Sequence, residues 1–169
     1  MGRHRASRFS VKLAKELTHI KNFDVVPDDL KIVLEGPLLI GEKLGVLLIQ
    51  LAPKRSLDLK ISASFFSKLC SLYFGPIALE PRHPSWVSSS ANFLYSDCGI
   101  SLVTAGPKVL PNEIHKSTGG FGYARLHGSP MIYKNRYSLE KLKEYTGTFL
   151  TAPREQWCIF DNTTFGYAT

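Results

Sequence analysis

Short runs of β-branched and aliphatic residues alternate along the chain with longer stretches whose apolar positions recur at helical spacing. This is the order of repeated βαβ units and of a parallel sheet. Six strands are predicted: Phe9 to Leu13, Leu44 to Leu51, Pro76 to His83, Ile100 to Ala105, Gly122 to His127 and Trp157 to Asn162. The second is apolar almost throughout, as a strand covered on both faces should be. Helices are predicted over Ser62 to Tyr73, where Phe65, Leu69 and Leu72 share a face, and over Ser138 to Leu150, which opens close to a capping box. Between the first two strands, Asp28 or Asp29 is placed to cap a helix, and Gly36-Pro37 should divide Asp28 to Lys43 into two short pieces. The segment Gly106 to Gly120 reads as the most irregular loop.

Several predicted strands end in polar residues, and parallel α/β folds gather their ligand sites at the C-terminal ends of strands. Side chains alternate along a strand, so Glu80 and Arg82 share one face while Ile77 and Leu79 take the other. Tyr123, Arg125 and His127 likewise share a face, opposite Ala124 and Leu126. The apolar sets would meet helices. The polar sets would then point inward or up into a mouth, joined by Lys12, Gln50, Asp161 and Asn162 from the other strand ends.

The chemistry of this set is open at the level of residue types. Arg82 and Arg125 suit an anionic group such as phosphate or carboxylate, and either could equally form a structural ion pair with Glu80. His83 and His127 are candidate general acid/base groups, since imidazole titrates near neutral pH, and a strand-end histidine can also be simply hydrogen-bonded. No H-x-H, H-E-x-x-H or carboxylate cluster is present, so a metal site would have to be assembled across strands from His83, His127, Glu80 and Asp161, and none is expected. Gly119-Gly120-Phe121-Gly122 precedes a strand, whereas a dinucleotide fingerprint follows one, and no G-x-S-x-G marks a nucleophilic serine. The sequence names no cofactor.

The 169 residues, 44% hydrophobic and 21% charged, suit one α/β domain able to bury a core. The net charge of +7 invites a nucleic-acid reading, but its distribution weakens that reading. In the first 21 residues Arg3, Arg5, Arg8, Lys12, Lys15 and Lys21 face Glu16 alone, a net +5, and the remaining 148 carry only +2. The excess therefore sits on an N-terminal arm, with residues 1 to 8 preceding the first strand. Cys70, Cys98 and Cys158 form no C-x-x-C and are odd in number, which fits a reducing cytoplasm better than a disulfide framework. No apolar run reaches the length of a membrane span.

At the strand ends the chain resembles the YecE-like family, the domain of unknown function 72, whose members are TIM-barrel proteins without an assigned reaction. Phe9-Ser10-Val11-Lys12-Leu13 followed by Lys15-Glu16-Leu17-Thr18-His19 resembles the family's third strand and its Thr-His turn. Leu44-Gly45 running to Gln50-Leu51-Ala52-Pro53 resembles the fourth. Leu79-Glu80-Pro81-Arg82-His83-Pro84-Ser85-Trp86 resembles the most distinctive signature, Tyr123 to Gly128 the Arg-Leu-His-Gly strand, and Phe160-Asp161-Asn162-Thr163 with Gly166-Tyr167-Ala168 the last. The resemblance implies a partial TIM (β/α) barrel of six predominantly parallel strands with flanking helices. It also implies that the family's first two βα units have no counterpart before Phe9. Ala105 is followed by Gly106 where the family tends to carry an acid, and Asp161 stands where it often has Asn.

Two classes of function follow. In the first, an enzyme-like site takes an anionic small molecule, held by Arg82 and Arg125, with His83 or His127 moving a proton and Glu80 orienting one of them. In the second, the chain is a non-catalytic remnant, or a module whose basic arm meets nucleic acid. With two units missing, the first and last strands would be open edges, Val11, Val46 and Ile159 would face water, and self-association is expected.

Overall fold

A computed structural model describes residues 7–21, 23–107, 110, 119–149 and 155–168. Most of the basic arm and of the Gly106 to Gly120 loop lies outside these residues, as does Leu150. Six strands form one sheet in sequential order: β1 (Phe9–Lys12), β2 (Leu44–Gln50), β3 (Ile77–Glu80), β4 (Ile100–Gly106), β5 (Gly122–Leu126) and β6 (Gln156–Phe160). Every neighbouring pair is parallel. The strands start within a residue of the predicted segments, and all but β4, which runs one residue further to Gly106, fall short at their C-terminal ends, where the chain leaves the sheet to build loops.

The helices are α1 (Pro27–Leu38), α2 (Leu59–Leu72), α3 (Ser89–Asp97) and α4 (Leu139–Phe149). Asp58 caps α2 by accepting from the Ile61 amide at 2.9 Å, and Ser138 caps α4 by accepting from the Lys141 amide at 3.2 Å. The Asp28 to Lys43 stretch departs from expectation. Val26 precedes the first turn with Pro27 at its head, and Asp29 accepts from the Val26 amide at 3.2 Å. The helix then runs through Gly36-Pro37 to Leu38, followed by one 3-10 turn at Gly41–Lys43. Pro37 is tolerated because it falls in the last turn, where its missing N–H breaks a single helical bond. Helix α3 was not predicted. Ser88 caps it by accepting from the Ala91 amide at 3.3 Å, and Ala91, Leu94 and Tyr95 are buried.

Alternation along the strands sorts the core into two layers. Leu47, Ile49, Ile77, Leu79 and Ile100 face outward and pack with Phe65, Phe66 and Leu69 of α2 and Leu30 and Leu34 of α1. Val46, Leu48, Ala78, Val103 and Tyr123 face inward, with Phe121, and Trp157 and Ile159 pack against them. The sheet therefore curls into a half-barrel whose concave side is partly filled by its own side chains. Tyr123 of β5 hydrogen-bonds across that interior to Ser10 of β1, at 2.6 Å. Arg8, just ahead of β1, pairs with Glu155 and lies 5.3 Å over the Trp157 ring. This curl corrects the expectation that Val46 faces water: it is completely buried, while Val11 and Ile159 are half-buried. Among the described residues no helix is long and apolar enough to cross a membrane.

Candidate functional site

Above the apolar filling, the inward positions turn polar at the C-terminal ends of the strands. Gln50 and Glu80 are directly paired across β2 and β3, and Arg125 pairs with Ala105 across β5 and β4. The absence of a side chain larger than a methyl at Ala105 leaves room for the guanidinium. From β5, Arg125 donates to Gln50 Oε1 at 3.0 Å, to Glu80 Oε2 at 2.5 Å and to Asp161 Oδ2 at 2.5 Å. One residue thus joins the ends of β2, β3, β5 and the segment after β6.

Glu80 is the second hub. It is 1% exposed and accepts from Arg82 Nη2 at 2.5 Å through Oε1, which also lies 3.3 Å from His127 Nε2. Burial is the largest single influence on this carboxyl and pushes its pKa up, but the His127 hydrogen bond and the Arg125 and Arg82 charges together outweigh it and hold it down at about 2. Arg125 is raised in turn: burial opposes its charge, and Glu80 and Asp161 more than offset that.

His127 Nδ1 stands 3.1 Å from Asp161 Oδ2, off the direction a hydrogen bond requires. Asn162 is buried and donates through Nδ2 to the Asn135 carbonyl at 3.0 Å. Arg82 Nε, Arg125 Nε, His127 Nδ1 and Asn162 Oδ1 are buried without a hydrogen-bond partner among the described residues. Two carboxylates face two guanidiniums here, so the formal charges balance and the mouth is less cationic than its arginines alone imply.

The remaining predicted residues lie apart from this cluster. His83 caps the 3-10 turn Pro84–Val87: its Nδ1 accepts from the Ser85 amide at 3.3 Å and lies 2.9 Å from Ser85 Oγ. That hydroxyl accepts from the Leu57 amide at 2.7 Å, so the histidine belongs to a tie between two loops. Lys12 is exposed at the end of β1, with no hydrogen bond or ion pair to the cluster among the described residues. No group of three or more His, Cys, Asp or Glu side chains among the described residues is arranged to hold a metal. The Arg125 guanidinium fills the space between the two carboxylates.

Two tyrosines join the site without a signal in the sequence. Tyr133 sets its ring edge-to-face on His127, centroids 5.6 Å apart, on a left-handed backbone with φ +67° that is uncommon for an aromatic residue. Its amide donates to the His127 carbonyl, and its own carbonyl accepts from the Thr164 amide at 3.2 Å. Tyr137 accepts from the Gly128 amide at 2.7 Å and donates to the Gly106 carbonyl at 2.8 Å. Gly128 needs its glycine: φ is +99°, and an added Cβ would stand 3.1 Å from the Asn135 and Met131 carbonyls. The loop after β5 is thereby folded over His127 and stitched to the segment after β6.

The model of a family described as protein of unknown function DUF72 matches residues 5–169. Among solved structures, a DUF72 family protein from Thermotoga maritima is 23% identical, with a TM-score of 0.79 over 95% of this chain and 69% of that one. A DUF72 family protein from Enterococcus faecalis is 18% identical, with a TM-score of 0.72 over 95% of this chain and 70% of that one. At these identities the structures establish a shared fold. No curated protein matches the chain.

Proposed function

The chain belongs to the DUF72 family, proteins of unknown function, and from that premise we propose that its half-barrel mouth binds a small anionic group and moves a proton on or off it. Arg82 and Arg125 hold the anion, such as phosphate or carboxylate, while Gln50, Asp161 and Asn162 line its seat. His127 is the proton carrier and Glu80 orients it. His127 is favoured over His83 because its Nε2 lies 3.3 Å from Glu80, whereas His83 is engaged by Ser85.

One observation carries this reading. The Nε–H groups of Arg82 and Arg125, with His127 Nδ1 and Asn162 Oδ1, are buried without a hydrogen-bond partner among the described residues, and buried polar groups in native proteins find partners. Anion oxygens satisfy both Nε donors. Because Glu80 and Asp161 already balance the arginines, the anion is held by directed hydrogen bonds more than by excess charge.

Isothermal titration with inorganic phosphate tests the reading. Arg125→Ala should weaken binding by about 1.5 to 3 kcal/mol, the range for hydrogen bonds to charged groups. Arg82→Gln, which leaves the Arg125 pairs in place, should weaken it as well. Equal binding by the wild type and both variants would send the anion elsewhere and end the proposal.

A further inference from the structure

On the outer side of the sheet, α2 and α3 lie side by side and leave a groove of about 270 Å³ between them. Ala63, Ser67 and Cys70 line it from α2, Leu94 and Asp97 from α3, and Cys98 from the residue that ends α3. The spacing i, i+4, i+7 on the first helix and i, i+3, i+4 on the second places all six on facing stripes. Cys70 and Cys98 are both free and both half-buried at this groove. Cys98 Sγ donates to the Phe66 carbonyl at 3.5 Å. Two thiols 28 positions apart in the chain thus line one groove between two helices, Cys98 Sγ lying against the carbonyl four residues before Cys70.

We propose that Cys70 and Cys98 are a reversible oxidative modification site, at which exchange with a low-molecular-weight disulfide such as oxidised glutathione joins the two sulfurs and ties α2 to α3. The exchange proceeds in two displacements. Cys98, as its thiolate, attacks one sulfur of the small disulfide, forming a mixed disulfide and releasing one glutathione, which takes up the proton Cys98 lost. Cys70 then gives up its proton and attacks the Cys98 sulfur, releasing the second glutathione. Two protein thiols are oxidised and one small disulfide is reduced, with no other oxidant required.

The order follows from the surroundings of Cys70. Burial, aided by the neighbouring Cys98, pushes its thiol up to about 12, which makes it a poor first nucleophile near neutral pH. As the second nucleophile it acts within the same molecule, in the same groove as its target, and proximity offsets its low thiolate fraction. Cys158 on β6 is exposed and serves as an internal reference.

The test uses the full chain treated with millimolar oxidised glutathione at mildly alkaline pH, quenched in acid, alkylated and mapped by mass spectrometry without reduction. A peptide pair linked through Cys70 and Cys98 is expected, with Cys158 carrying only alkyl or glutathione. The thermal midpoint of the oxidised protein should rise on the order of 5 to 10 °C and fall back on reduction. Cys70→Ser should arrest the reaction with glutathione retained on Cys98. A wild-type protein that stops at that same mixed disulfide, or whose only links run through Cys158, would overturn the proposal.

Discussion

Arg125 and Glu80 are 45 positions apart in the chain and meet at 2.5 Å with both side chains nearly excluded from water. The contact spans from β5 to β3 across the mouth of the half-barrel and forces the other polar groups into place. Gln50 shares Nη1 with Glu80 and Asp161 takes Nη2, while Arg82 and His127 meet at the other carboxylate oxygen.

Glu80→Ala leaves two guanidiniums facing one another in a buried site without their shared carboxylate. Removing one member of a buried charge pair costs about 3 to 5 kcal/mol. Urea denaturation monitored by circular dichroism should show a loss of that order. Replacement of Asp161, whose side chain is 29% exposed, should cost less, because water can solvate the freed Arg125 donor.

The acid limb of stability follows from the same carboxyl. Glu80 is depressed from the ordinary 4.5 to about 2 in the folded state, so the unfolded chain binds a proton more readily than the native one between those values. The stabilisation from this group is therefore complete above about pH 4.5 and is lost as pH falls through about 2. In a series of denaturant melts from pH 6 to pH 2, Glu80→Gln should be destabilised yet show a shallower decline than the wild type. Parallel declines would place the acid sensitivity at another group.

At the opposite end of the interior, Trp157 of β6 lies against Gly45 of β2, and a Cβ added to Gly45 would come within 2.4 Å of the ring. Gly45→Ala should cost about 1 to 3 kcal/mol by overpacking. The smaller ring of Trp157→Phe should relieve part of that cost, so the double variant should be more stable than the sum of the two single changes requires. Strict additivity would mean that the two positions do not touch in solution.

The outer edges of β1 and β6 pair with no strand among the described residues. Unpaired strand edges recruit further strands, and the chain on its own is expected to associate as its concentration rises. Light scattering with amide hydrogen exchange measures this. A monodisperse monomer with strong protection in both strands would mean the edges are covered in another way.

The strand order, the parallel pairing and the division of each strand into an inward and an outward face were legible from local pattern. A two-residue repeat and strand-to-strand crossovers are properties of neighbouring residues, and handedness leaves few topologies to choose among. The candidate cluster was legible for the same reason: Glu80, Arg125 and His127 stand at inward positions of strand ends, where alternation places them whatever they touch.

What they touch was decided by the curl of the sheet. Whether Arg82 and Arg125 stand open as a cationic pair or closed on carboxylates depends on distances between strands that no local pattern encodes, and the curl brings Glu80 and Asp161 onto them. The same holds for Val46, covered because Tyr123 and Trp157 reach over from the far side. It holds for His83, drawn to Ser85, and for Tyr133, placed on His127 by an irregular loop. Helix α3 stayed hidden because its stabilising contacts are tertiary, and Pro37 was tolerated because of its place in the final turn of α1. Periodicity specifies which face a side chain takes; only the folded chain specifies which partner stands opposite it, because the energy of a buried charge depends on that partner.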